Sequence, residues 1–208
     1  MQVVAVCVGK IAPLWGGSEN DQPSGKVLSA IVKTPVSVVD DPQPVAVGLL
    51  GLDGDEQADL SVHGGRDKAV YAYPVEHYPV WRTLRMQALK LDEALPLGSM
   101  GENLTLSGLT EDRIWIGDVV TIGSASESAV VLRVAAPRSP CFKFNHRMGF
   151  KHASKMMVQS GYTGFYLQVM RPGLVRAGDR VSITPGARLM RVDEQHRFNT
   201  TSGQGSLL

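Results

Sequence analysis

The sequence predicts a mainly β fold of the β-barrel kind. Most of its segments are short and rich in Val, Ile, Thr and aromatic residues. Gly, Pro and Asp recur between them, and a single stretch carries a long apolar stripe at helical spacing. Short β-branched runs divided by turn residues are the pattern of strands in a sandwich or barrel.

Residues 2–8 form the first expected strand. Residues 12–25 read as an exposed loop from their Gly, Ser, Asn and Pro. Residues 27–39 alternate well enough for one long strand bent at Pro35, and Asp40-Asp41-Pro42 then turns the chain into 45–50. A strand is expected over 68–73. Residues 75–90 form the expected helix, with Tyr78, Trp81, Leu84 and Arg85 at helical spacing and Leu89 closing the stripe; Pro79 is tolerated in a first turn. Further strands are expected near 103–107, 118–123, 129–136, 163–170 and 179–184. Residues 142–160 read as one or two short helices broken at Gly149. Residues 1–185 are expected to form one domain and 186–208, which lose apolar periodicity, a short tail that frays from Asn199 to Leu208.

The chain has 208 residues, enough to bury a core without staples, and a net charge of +1. Acids and bases are interspersed, so no nucleic-acid stripe or polybasic membrane anchor is expected. No apolar run approaches the ~18 residues of a membrane span. The N-terminus lacks the basic start and cleavage site of a signal peptide, and a cytoplasmic location is expected. Two cysteines, Cys7 and Cys141, do not make a disulfide framework, and no Cys/His spacing of a zinc site is present. Cys7, in an apolar strand, is expected in the core.

Cys141 is the most informative residue. It lies in Pro137-Arg138-Ser139-Pro140-Cys141-Phe142-Lys143, between a strand-like run and a helix-like stretch. Nearby cations favour the nucleophilic, metal-binding thiolate. The plainer reading is a small buried hydrophobe. Covalent catalysis with His63 or His146 as base would need a hydrogen bond that the sequence does not establish. The pair Gly64-Gly65 after His63 would let a backbone approach phosphate closely, or simply make a turn. Asp53 and Asp55 would orient a ligand or belong to a solvated loop. Asn103, after Gly101-Glu102, would contact a heterocycle or cap a turn. His77, His152 and His196 are expected to be solvated.

Taken in order, Gly51-Leu52-Asp53-Gly54-Asp55-Glu56-Gln57, Val62-His63-Gly64-Gly65, Tyr73-Pro74-Val75-Glu76-His77-Tyr78, Gly101-Glu102-Asn103-Leu104, Gly117-Asp118 and Pro137-Arg138-Ser139-Pro140-Cys141 resemble the MOSC domain, and more narrowly its YiiM-like branch. The resemblance spans roughly residues 8–185. It implies a β-barrel of mixed strands with a few peripheral helices. It also implies a molybdenum cofactor, in which a pterin dithiolene holds molybdenum and Cys141 completes the sulfur set; a soft thiolate suits such a metal. His63, Gly64, Gly65 and Lys68 on one wall, and Arg138, Ser139 and Lys143 on the other, are then the candidates for the pterin phosphate. Asn103 is the candidate for the pterin ring.

The activity implied is reduction of N-hydroxylated compounds, such as hydroxylaminopurines or amidoximes, with Asp55, His63 or Tyr71 managing protons. Two cysteines cannot hold a four-thiolate cluster, so electrons are expected from a separate donor protein. Two alternatives stay open: a cofactor or sulfur carrier using a persulfide on Cys141, and an interaction module with a vestigial site. In the related mitochondrial amidoxime-reducing component an Arg directly precedes the cysteine; here Pro140 does, and Arg138 is the nearest. YiiM-like proteins commonly carry a C-terminal three-helix domain. This sequence ends at Leu208 after a short polar stretch, and self-association is the expected substitute.

Overall fold

The computed structural model describes residues 1–14, 27–58, 64–123 and 128–202. The chain is built on an eight-stranded sheet. Its strands, in spatial order, are β13 (Val181–Thr184), β9 (Val119–Ile122), β10 (Val130–Pro137), β11 (Phe165–Arg171), β7 (Val70–Pro74), β8 (Leu104–Ser107), β1 (Gln2–Val8) and β4 (Thr34–Val38). All neighbours run antiparallel except β7 and β8, which are parallel. A parallel pair needs a long crossover, and α1 (Tyr78–Leu89) supplies it. The sheet is therefore mixed, as expected.

The sheet curls. Val3 N–H donates to Asp179 O at 3.0 Å, Gly178 N–H to Val3 O at 2.8 Å and Val181 N–H to Met1 O at 3.0 Å. These bonds bring the start of β1 against the lead-in to β13. A small sheet of β12 (Gly173–Val175), β5 (Val45–Gly48) and β6 (Gly51–Leu52) and a two-stranded ribbon of β2 (Ala12–Pro13) and β3 (Leu28–Ser29) complete the strands among the described residues.

All five residues of β7 are buried, because both of its faces are covered. Val70 and Ala72 join the inner core with Val3, Val6, Leu104, Leu132, Phe165 and Leu167. Tyr71 and Tyr73 face the other way, into a second core with Trp81 of α1, Phe144 and Met148 of α2 (Phe142–Met148), and Met157 of α3 (Ala153–Ser160). A strand buried on both faces reads as a continuous apolar run, as Ala69-Val70-Tyr71-Ala72-Tyr73 does. The site lies beside this second core.

Three expectations change. The long strand over 27–39 is two pieces, β3 and β4, because the chain breaks from the sheet between Ser29 and Thr34. The segment expected to be a tail holds α4 (Val192–Thr201). Its start is fixed by Val192 N–H to Ile114 O at 3.0 Å and by Glu194 Oε2 accepting Arg191 N–H at 2.9 Å, a satisfied helix N-terminus. Third, two histidines expected in solvent are buried: His77 Nε2 lies 2.7 Å from Glu111 Oε2, and His196 Nε2 lies 2.8 Å from Val158 O. Among the described residues no helix is long and apolar enough to cross a membrane.

Cys7 is fully buried, and burial pushes its thiol far above the ordinary range. Alkylation of the native chain at pH 8 should therefore label Cys141 and spare Cys7, with both labelled in denaturant; mass spectrometry counts the adducts. Gly164 has φ +64, and a Cβ there would meet Ala72 O at 2.5 Å and Tyr73 Cδ2 at 2.8 Å. Gly164→Ala should cost ~3 kcal/mol, combining overpacking with left-handed strain, as read by urea unfolding.

Candidate functional site

Cys141 is the half-buried residue that precedes α2, on the segment leaving β10. It lines a cleft enclosing about 700 Å3, its open mouth included. Four walls meet there: residues 138–143, the 29–33 connection, the 55–58 segment after β6, and Tyr71 of β7 and Tyr166 of β11 with Asn103 just before β8. Among the described residues four cationic side chains line the cleft (Lys33, Lys68, Arg138 and Lys143) against two carboxylates (Asp55 and Glu56).

Arg138 is the buried member, 6% exposed. Its Nη1 donates to Met100 O at 2.6 Å and to Tyr71 Oη at 3.1 Å. The guanidinium also lies over the Tyr71 and Phe144 rings, 4.8 and 5.2 Å from their centroids. Burial opposes its charge, yet Tyr71, Tyr166 and Cys141 around it hold the pKa above its ordinary range. The ion pairs found among the described residues do not include Arg138. Its hydrogen-bonding partners are neutral, so the charge is not cancelled by a carboxylate.

The opposite wall is built on Asp55. Its Oδ1 accepts Lys33 Nζ at 2.5 Å and Gly9 N–H at 2.7 Å, and its Oδ2 accepts Asn103 Nδ2 at 2.8 Å. Lys33 and Asp55 side chains are only 8% and 5% exposed. A buried ion pair needs such added hydrogen bonds to offset desolvation. Asn103 is a tie between strands as well: its Oδ1 accepts Tyr71 N–H at 3.1 Å. Both ends of its amide are thus engaged by the protein.

Glu102 sets the loop before β8. Fully buried, it accepts Gly98 N–H at 2.9 Å, Met100 N–H at 3.0 Å, Thr105 Oγ1 at 2.8 Å and the Tyr78 hydroxyl. That fixes the Met100 carbonyl that Arg138 uses. Tyr71 is also committed. Its hydroxyl donates to Thr163 O at 2.7 Å while accepting from Arg138, and burial pushes its pKa far up. Tyr71 therefore holds position, with its one O–H donated within the protein.

Of the residues expected from sequence, Asp55, Lys68, Asn103, Arg138, Ser139, Cys141 and Lys143 meet on this cleft. Lys68 Nζ sits 5.8 Å from the Tyr166 ring centroid, and Lys143 Nζ donates to Leu28 O at 3.3 Å. Gly64 and Gly65 lead into the short turn Arg66–Lys68 that delivers Lys68, and they stand outside the lining. Gly65 takes φ +83, and its N–H reaches Gln57 Oε1 at 3.4 Å. His63 lies outside the described residues. Sequence reasoning missed Lys33 and Tyr166. Both had a signal: Lys33 is a lone charge among Ala30-Ile31-Val32, and Tyr166 alternates with the inward Phe165 and Leu167.

The MOSC domain family model matches residues 59–182. The chain is 37% identical over 165 residues to the protein YiiM of Escherichia coli (strain K12), covering 79% of this chain and 67% of that protein. It is 34% identical over 159 residues to a reductase of Gibberella moniliformis, covering 76% of this chain and 26% of that longer protein. The crystal structure of YiiM from Geobacillus stearothermophilus superposes with a TM-score of 0.70 at 28% identity, over 97% of this chain and 84% of that one. The chain belongs to the MOSC domain family, in its YiiM-like branch.

Proposed function

We propose that the cleft binds a molybdenum cofactor through Cys141, and that the protein is the reductase component for N-hydroxylated compounds such as hydroxylaminopurines and amidoximes. The observation that carries this reading is the pairing, on one cleft, of a half-buried thiol with a buried guanidinium whose hydrogen-bonding partners are neutral. The donor set fits the group. A soft sulfur ligand suits molybdenum. The excess of cations over carboxylates among the described lining residues suits an anionic pterin phosphate, which Arg and Lys recognise by charge-assisted hydrogen bonds. Among the described residues no group of three or more His, Cys, Asp or Glu is gathered as a metal cage. A metal at Cys141 would accordingly bring its remaining ligands with it, as a dithiolene complex does.

In this arrangement Cys141 is the protein's sulfur ligand, and Lys68, Ser139 and Lys143 at the mouth take the phosphate. Arg138, anchored from behind, keeps a positive field on the thiolate and on an anionic ligand. When bound, the cofactor would supply two-electron, oxygen-accepting chemistry, so that an N-hydroxyl compound leaves as the amine or amidine with water as the second product. Two protons are consumed. The Lys33–Asp55 pair borders the cleft and is the chain's candidate to hold and pass them, while Asn103 fixes the carboxylate. Electrons come from a separate donor protein. The name of the Gibberella relative, a reductase, agrees with this class of chemistry.

A second reading uses the same thiol: Cys141 carries cofactor or sulfur without turnover. Its half-buried position, reachable from the cleft mouth, suits a persulfide.

Protein made in cells that synthesise the cofactor should contain near-stoichiometric molybdenum and pterin, by elemental analysis and pterin fluorescence. Cys141→Ala should lose most of the molybdenum. Absence of metal from both proteins would overturn the reading, and metal without reduction of N-hydroxy substrates would favour the carrier. Arg138→Lys keeps the charge and loses the planar fork. It should reduce bound cofactor about tenfold or more, corresponding to ~1.4 kcal/mol or more of lost interaction, while the protein stays folded by circular dichroism.

A further inference from the structure

The 162–164 loop presents three consecutive carbonyls to the cleft side of the second core. Tyr162 O accepts the Tyr73 hydroxyl at 3.0 Å, Thr163 O accepts the Tyr71 hydroxyl at 2.7 Å, and Gly164 O accepts the Arg138 backbone N–H at 3.2 Å. One loop thus places Arg138 and the phenol that holds its guanidinium. What holds the loop lies on its far side. Gly164 N–H donates to Glu111 Oε1 at 2.7 Å. The other oxygen of that carboxylate, Oε2, lies 2.7 Å from His77 Nε2. The His77 ring in turn stacks on Tyr162, with centroids 3.9 Å apart and planes 11° apart. Glu111 is 4% exposed and His77 is 7% exposed.

We propose that Glu111 is a positioning residue for the cofactor cleft, acting through the 162–164 loop, with His77 fixing the carboxylate. The proposal deepens the functional reading above by naming what sets Arg138. It stands on contacts that need no cofactor. A buried carboxylate bridging a backbone N–H and an imidazole gives charge-assisted bonds, roughly twice as strong as neutral ones. Gly164 can meet it only because it lacks a Cβ: at φ +64 the loop packs directly on Tyr71, Tyr73 and the Ala72 carbonyl. Neither Glu111 nor His77 lines the Cys141 cleft. Both line a separate surface cleft, with Tyr162 and part of α4. The route from that surface to Arg138 is therefore continuous: His77, Glu111 and Gly164, then Arg138 directly and Tyr71 by way of Thr163.

The test is nuclear magnetic resonance of the 15N-labelled full chain, made in cells unable to synthesise the cofactor. It reads hydrogen exchange at the Arg138 guanidinium and at the Arg138 backbone amide. Glu111→Ala should speed both at least tenfold while Cys7 stays closed to alkylation. Glu111→Gln keeps an oxygen for Gly164 N–H and should restore both rates to within threefold of wild type. Unchanged exchange in a folded Glu111→Ala protein would overturn the proposal, as would a Glu111→Gln protein no better than Glu111→Ala. If Glu111→Ala exposes Cys7, His77→Gln decides. It leaves Glu111 in place without its imidazole partner, so exchange at least threefold faster supports the proposal and wild-type exchange overturns it. Because no cofactor is involved, this outcome is independent of whether molybdenum is bound.

Discussion

The buried charge of Arg138 is the constraint on which the site depends. A guanidinium removed from water needs its N–H groups satisfied, and the usual solution is a carboxylate. Here Nη1 has a backbone carbonyl and a phenol, and two aromatic rings lie against the plane. Neutral partners take the Nη1 donors and leave the positive field in place. Two buried glutamates still serve the residue from one step away. Glu102 shapes the loop that offers Met100 O, and Glu111 holds the loop that offers Thr163 O to Tyr71. Carboxylates spent on backbone N–H groups shape the surroundings of Arg138 without touching its guanidinium.

This arrangement is possible because β7 is covered on both faces. The crossover through α1 makes β7 and β8 parallel and lays Trp81 over Tyr73, whose hydroxyl accepts Trp81 Nε1 at 2.5 Å. Together with α2 and α3 this forms a second core outside the sheet. Cys141 sits where that core opens to solvent, so its position follows from the end of β10 and the start of α2. The opposite wall is joined to the same frame by Asn103, which bonds both the β7 backbone and Asp55.

Much of this was legible in the sequence, for identifiable reasons. β1, β10 and β11 are short apolar runs rich in Val or aromatic residues between turn residues, and each places residues of its inner face in the main core. The break at Gly149 is real: its αL conformation ends α2 and accommodates the turn to α3. The 27–39 segment was over-read, since alternation continues through Lys33 although the backbone there leaves the sheet to line the cleft. α4 was hidden because only Val192 and His196 are buried along it, too few to make an apolar stripe. In the site, Cys141 and Arg138 were legible because they share one short segment. The work of Glu102 and Glu111 was not, because no spacing marks a carboxylate that accepts from backbone N–H groups, and Gly164 reaches Glu111 only through tertiary folding. Asn103 stood out as a polar residue at a loop–strand junction, but its tie to Asp55 appears only once β7 and β8 are paired.

We propose that Cys141 supplies a sulfur to molybdenum in the cleft that Arg138 sets. The most direct measurement is the molybdenum K-edge X-ray absorption spectrum of protein made in cells that synthesise the cofactor, beside Cys141→Ser. The account predicts that wild type has one molybdenum–sulfur interaction more than the dithiolene alone provides, and that the variant loses it. Identical metal–sulfur shells in the two proteins would contradict it.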